Sequence, residues 1–330
     1  MTKRSRTASP AASRPGVCQT EPQPPDRPAL RFGLCCIFHS QPIRFRQTTA
    51  RALLPLSRKE RLRKLSAICL ENVGGVGRAL HYLAKNRIDA FRISTPLLPR
   101  YTHPQVGYRL DDLPDAAAIH AGFAAIRAFR RQHDIRLSLH PDQFNVLSSP
   151  RPEVVRNTLR ELEYQGLLAE LAGVEVINLH AGGVYGDKSA ALARLRSRIA
   201  DLPEAIRGRL TLENDDVSFS PADLLPFCRQ EGIPFVYDVH HHRCLPDGMS
   251  EEEATAGCVE TWQGLGREPY FHISSPKNGW GAGSPKPHAD YIDPCDFPEE
   301  WKSLCATVDV EAKAKELAVL RLMADLGVQP

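Results

Sequence analysis

Seven of the 12 histidines (His103, His140, His180, His240, His241, His272 and His288) stand at or just after the ends of short apolar runs. The carboxylates Glu213, Asp238 and Glu311 occupy the same kind of position. Alone, a residue of this type at the end of an apolar run is ordinarily a hydrogen-bonded loop residue or the cap of the next helix. Many of them at equivalent positions call for a common partner. Crowded imidazoles and carboxylates desolvate or repel one another, and cations relieve both costs. Mixed nitrogen and oxygen donors favour a borderline first-row ion, Mn²⁺ first, with Zn²⁺ or Mg²⁺ as alternatives. No cysteine joins the set, which argues against a closed structural zinc site. Four donors satisfy one ion. Eight or nine imply two or three divalent ions sharing bridging carboxylates, an arrangement used for phosphoryl transfer with ions about 3.5–4 Å apart.

Elements that repeat must bring these residues together. From Arg31 onward, eight apolar runs follow one another: RFGLCCIF (31–38), DAFRIS (89–94), IRLSLH (135–140), VEVINLH (174–180), RLTLEN (209–214), PFVYDVH (234–240), YFHISS (270–275) and ATVDVE (306–311). Each is near-continuously apolar and too short for a helix, which suits a parallel strand covered on both faces. Amphipathic stretches lie between them. Val155, Leu159, Leu162 and Ala169 recur at helical spacing before Gly173, a plausible C-cap, and Leu192, Leu195 and Ile199 repeat the pattern. Eight strand-then-helix units predict a single (β/α)8 TIM barrel over 31–330, in which the C-terminal ends of the strands converge on one mouth.

Composition bounds the rest. The chain has 330 residues, 42% hydrophobic and 25% charged, with a net charge of +3 that neither invites nor excludes nucleic acid. No apolar stretch approaches the roughly 18–20 residues of a membrane span. Nine cysteines without a short CxxC spacing read as buried thiols in a reducing compartment, and the expectation is a cytoplasmic protein. Residues 1–30, rich in Pro, Ser, Arg and Ala, read as a disordered basic tail without a secretory signal.

Seven segments carry a family resemblance: LSLHPDQF (137–144), INLHAGG (177–183), TLENDD (211–216), VYDVHHH (236–242), HISSPK (272–277), KPHADYID (286–293) and VEAKAKE (310–316). Together and in this order they resemble the motifs of the UV-damage endonucleases. The plan is also similar, more distantly, to endonuclease IV-type apurinic-site nucleases. The resemblance implies a DNA repair enzyme that nicks damaged double-stranded DNA immediately 5′ to a photoproduct and leaves a 3′-hydroxyl. It implies a central ion held by Glu213, Asp238, His272 and Glu311. A second ion falls to His140, His180 and a bridging Glu213, with His103 near, and a third to His241 and His288. It further implies that Gln143 and Phe144 enter the duplex at the lesion. Arg44, Arg46, Lys277 and Lys286 are candidate phosphate contacts, and Glu213, His103 and His240 the residues closest to the proton transfers. The chain departs from the pattern at Leu34 and Phe38, where some relatives carry tyrosine and asparagine, and at Tyr270, where they often carry a metal-assisting lysine. These departures bear on lesion range and on the third ion.

Two rivals are set against this reading. A sugar isomerase of the xylose-isomerase-like barrels needs only one Glu, Asp, His, Glu set, and the surplus His140, His180, His241 and His288 would then have no task. A non-catalytic DNA binder would have no reason to keep every donor. Nothing in the sequence demands an oligomer, and the expectation is a monomer with no membrane partner.

Overall fold

The computed structural model describes residues 30–328. The expected tail lies outside these residues except for Leu30, which already opens the first strand. Eight strands form: β1 (Leu30–Cys36), β2 (Ala90–Ile93), β3 (Arg136–Leu139), β4 (Val176–His180), β5 (Leu210–Glu213), β6 (Phe235–Asp238), β7 (Tyr270–Ile273) and β8 (Ala306–Val310). Each pairs in parallel with its neighbours in chain order, and β1 pairs with β8, so the sheet closes into a barrel. The expected TIM barrel is the fold, with strands shorter than the apolar runs that announce them.

The strands are buried on both faces, but the two faces differ in chemistry. Phe91, Leu137, Leu139, Leu210, Leu212 and Phe271 are fully buried among the surrounding apolar residues. The alternate positions touch across the barrel: Arg136 of β3 donates to Thr307 of β8 at 2.9 Å, and Tyr270 of β7 donates to Ser138 of β3 at 3.4 Å. Contacts between strands that are not neighbours in the sheet can only run through the barrel interior. The interior is therefore polar and layered, with Arg31 and Arg136 meeting Glu268 at 3.1 and 3.4 Å near the N-terminal ends of their strands.

Helices Arg58–Lys85, Ala116–Gln132, Pro152–Ala172, Lys188–Ala200, Pro221–Glu231, Glu251–Thr261 and Glu316–Asp325 wrap the barrel. Their ends follow local chemistry. Ser57 and Glu60 form a capping box at the first, and Gly173, in the left-handed region at φ 76°, closes the third as expected. The repeat breaks once. Among the described residues no α-helix lies between β7 and β8; the 3-10 turns Pro294–Asp296 and Glu299–Ser303 stand there instead. Trp301 supplies the missing bulk: it is fully buried, stacks on Phe271 at 4.5 Å and donates its Nε1–H to Thr255. Leu34 and Phe38 also belong to this packing, Phe38 lying edge-on to Tyr82 at 5.4 Å. No described helix is long and apolar enough to cross a membrane.

Candidate metal centre

The polar interior culminates at the C-terminal ends of the strands. His140 follows β3, His180 ends β4, Glu213 ends β5, Asp238 ends β6, His272 lies in β7 and Glu311 follows β8. Their rings and carboxylates meet. Glu213 is the hub: its Oε2 lies 3.0 Å from His140 Nε2, and its Oε1 lies 3.1 Å from His272 Nδ1 and 3.4 Å from His241 Nδ1. The His180 ring centroid is 5.0 Å from that of His140 and 5.8 Å from that of His241. Asp238 caps the short helix Val239–Cys244, its Oδ1 accepting the His241 N–H at 2.8 Å. That cap swings His241 back over the barrel, with Nδ1 3.5 Å from Asp238 Oδ2. His288 reaches the same place from the loop after β7, its Nδ1 3.2 Å from the Ser274 hydroxyl and 3.8 Å from Glu311 Oε2.

Two overlapping sets emerge, His140–Glu213–His272 and Glu213–Asp238–His241, and within each set the donor atoms lie within 4.8 Å of one another. Glu213 belongs to both and stands where a bridging carboxylate would. The Nδ1 atoms of His180 and His240 and the Oδ2 of Asp238 are buried without a hydrogen-bond partner. An orphaned buried polar atom costs on the order of 1–3 kcal/mol, and those of His180 and Asp238 fit electron-pair donors meant for ions. The donor chemistry suits divalent ions of the Mn²⁺ or Zn²⁺ type.

The two carboxylates at the centre are held ionised. Burial alone would raise the Glu213 carboxyl, but the surrounding imidazoles, His272 first, outweigh it and hold the group well below its ordinary range. Burial opposes ionisation of Glu311 too, and Arg92 and His272 prevail, so it stays ionised. Burial dominates at His180, where it lowers the imidazole and favours the neutral, ligating form.

The remaining expected residues divide. His240 sits beside the cluster, its ring 5.2 Å from His288 and its Nε2 3.3 Å from the Lys286 carbonyl. His103 is not in contact with the cluster. Its Nδ1 accepts the N–H groups of Gln105 and Val106, and its ring lines a groove of about 960 Å³ together with Tyr101, Gln143, Phe144, Arg151 and Tyr185. Phe144 is 76% exposed and so is no core residue; an Asx turn from Asp142 to its N–H presents it. Gln143 beside it is exposed as well. The basic residues are more constrained than their sequence positions suggest. Arg44 donates to the carbonyls of its own loop, Arg46 pairs with Glu71 at 2.6 Å, and Lys286 reaches Asp216 at 3.3 Å. Lys277 is exposed on the loop after β7.

Several interior residues were not anticipated. Arg92 of β2 and Asp309 of β8 lie directly beneath the cluster, and Asn178 of β4 donates to Glu213 Oε2 at 2.5 Å. Thr211 turns that amide by donating to Asn178 Oδ1 at 2.9 Å. Asn214 holds β6 in register from both sides, accepting the Asp238 N–H and donating to the Asp238 carbonyl. The available signal was a charged or amide residue inside an otherwise apolar run, as in AFRI and ATVDV. Tyr270 lies in the same layer, its hydroxyl 3.2 Å from Asp309 Oδ1 and its ring under the Arg136 guanidinium at 4.8 Å.

The comparisons with known proteins fall in line with this geometry. Residues 30–329 match the family model described as UV-endonuclease UvdE. The chain is 34% identical over 311 residues to the UV DNA damage endonuclease of Bacillus velezensis, covering 90% of this chain and 94% of that protein. It is 33% identical over 281 residues to the protein of the same name from Bacillus cereus, covering 82% and 86%. The solved structure of SacUVDE superposes with a TM-score of 0.79 at 28% identity, covering 90% of this chain and 98% of that one. Endonuclease IV from Thermus thermophilus, at 16% identity and a TM-score of 0.56 over 90% of this chain and 97% of its own, shares the fold. A donor-lined barrel mouth, a match over the whole described chain and relatives above 30% identity place the chain in the UV-endonuclease UvdE family.

Proposed function

We propose that the chain is a metal-dependent DNA repair endonuclease that hydrolyses a phosphodiester immediately 5′ to a UV photoproduct in duplex DNA. The observation that carries this reading is the pair of donor sets sharing Glu213 at the barrel mouth. Two or three divalent ions, Mn²⁺ foremost, would be held by His140, His180, Glu213, Asp238, His241, His272, His288 and Glu311. Bound there, such ions lower the pKa of a water and neutralise charge developing on a phosphate. The chain's own residues orient and desolvate. Asn178 and Thr211 fix the Glu213 carboxylate, and Asp238 fixes the helix that bears His241. His240, with an unpartnered Nδ1 beside the cluster, is better placed to take a proton than His103, whose Nδ1 is spent on two backbone amides. The P–O3′ bond breaks, leaving a 3′-hydroxyl.

Recognition of damage falls to Phe144 and Gln143. An exposed flat ring on a short, braced loop is suited to enter a duplex where stacking is already weakened. Lys277 and Lys286 on the loop after β7, with Arg44 and Arg46 after β1, would serve as phosphate contacts, Lys277 being the least encumbered.

The test is strand cleavage of a UV-irradiated duplex against an unirradiated one, with Mn²⁺ and with chelator. A metal-dependent nick just 5′ to the photoproduct, absent from the control duplex, is the expected result. A metal-loaded protein that leaves irradiated DNA intact would sink the proposal and direct attention to abasic-site DNA and then to sugar substrates.

A further inference from the structure

Arg92 is the only charged residue of β2, and it crosses the barrel interior instead of reaching for water. Its side chain is 8% exposed. Nη1 donates to Glu311 Oε1 at 2.5 Å, and Nη2 lies 2.8 Å from His272 Nε2. Nε and Nη2 stand 3.1 and 3.0 Å from the same oxygen, Oδ2 of Asp309. Asp309 is itself fully buried, and its other oxygen accepts from Tyr270 at 3.2 Å. The chain makes room for that carboxylate at Gly33, where a Cβ would fall 1.9 Å from Asp309 Oδ1. A glycine, a tyrosine and an aspartate thus combine to hold one guanidinium against two of the expected ligands.

We propose that Arg92, clamped by Asp309, is a positioning residue for the metal centre. It pins Glu311 by one carboxylate oxygen, so that the remaining Glu311 oxygen faces His288 and the mouth. This rests on the function proposed above only in taking Glu311 as a ligand. A planar, permanently charged fork fixes direction as well as charge, which an ammonium cannot do. Arg136, lower in the same interior, provides the contrast: it meets Glu175, Glu268 and Thr307 and none of the candidate ligands.

The test uses the full chain and reads metal binding directly, by Mn²⁺ titration calorimetry and by elemental analysis of the dialysed protein. Arg92→Met alone would strand the Asp309 carboxylate, so the informative variant is Arg92→Met with Asp309→Asn, alongside Arg92→Lys. The double variant is expected to bind Mn²⁺ about 10- to 100-fold more weakly, as loss of a ligand-orienting partner does. Its kcat should fall while KM for damaged duplex stays near that of the unaltered protein. Arg92→Lys, keeping charge without the fork, should recover only part of the affinity. Arg136→Lys, the control, should lower Tm and leave the Mn²⁺ affinity unchanged. If the double variant does not fold, Arg92→Lys decides, and an unchanged Mn²⁺ Kd there overturns the proposal. So does a folded double variant with undiminished Mn²⁺ affinity and stoichiometry. Failure of the unaltered chain to bind Mn²⁺ is a different result, which removes the metal-dependent function and this inference together.

Discussion

Three imidazoles and one amide converge on the Glu213 carboxylate, none farther than 3.4 Å. Groups that act as a unit do not contribute additively. Glu213→Ala and His180→Ala are each expected to lower the nicking rate by about 10²- to 10³-fold or more, and the double variant to lose little beyond either alone. Circular dichroism and melting curves should show a folded barrel in all three, and a fully active single variant would refute the assignment. Phe144 acts by a different route. Phe144→Ala should weaken binding to irradiated duplex by roughly tenfold, the scale of one lost base-stacking partner, with bound metal unchanged. Equal loss of metal and DNA binding would remove its proposed role. At this scale the sequence was most legible where donors end strands, as at His140, His180 and Glu213. Arg92 and Asp309 escaped because they sit inside runs read as near-continuously apolar, and only the barrel's closure brings β2 against β7 and β8 through the interior.

The helix Val239–Cys244 carries His240 and His241, and a buried relay anchors it from behind. The Tyr237 hydroxyl lies 2.8 Å from His242 Nδ1, and His242 Nε2 meets Asp247 Oδ1 at 3.0 Å. Burial alone would raise the Asp247 carboxyl. The N–H groups of Ala222 and Met249, with Ser220 and His242, outweigh it and hold the carboxyl at about 2, below its ordinary 3.8. A carboxyl depressed on folding stabilises the protein above its unfolded-state pKa, and that contribution is lost as pH falls through the folded value. Asp247→Asn should therefore lower Tm most above about pH 4, with the gap to the unaltered protein closing as pH falls toward about 2. A gap that is constant with pH would show that the ionised form is not what matters. The strands themselves were readable from their apolar runs, and the helices from their spacing. The break after β7 was not, because YFHISS announces a strand just as its neighbours do. Only contact with Phe271 reveals that Trp301 takes the place of a helix.

For the whole molecule, ions that bind only the folded barrel stabilise it by mass action, about 2.7 kcal/mol per site at a free concentration 100 times Kd. Chelation should lower Tm by several degrees and abolish nicking, and added Mn²⁺ should restore both. A Tm indifferent to chelator would argue against resident ions. The closed sheet also places a condition on the chain's own synthesis. Leu30 of the first strand pairs with Ala306 of the last, and Glu311 comes just after it. A nascent chain can already carry every histidine of the cluster while β1 still has no partner on one edge and Arg92 has neither Asp309 nor Glu311 to hold. Contacts so distant in sequence must wait for translation to deliver the final strand. A polypeptide released early, from a message cut short before Ala306, would possess most of the proposed ligands and no assembled cluster. Arrival of β8 is thus the event that brings the cluster together.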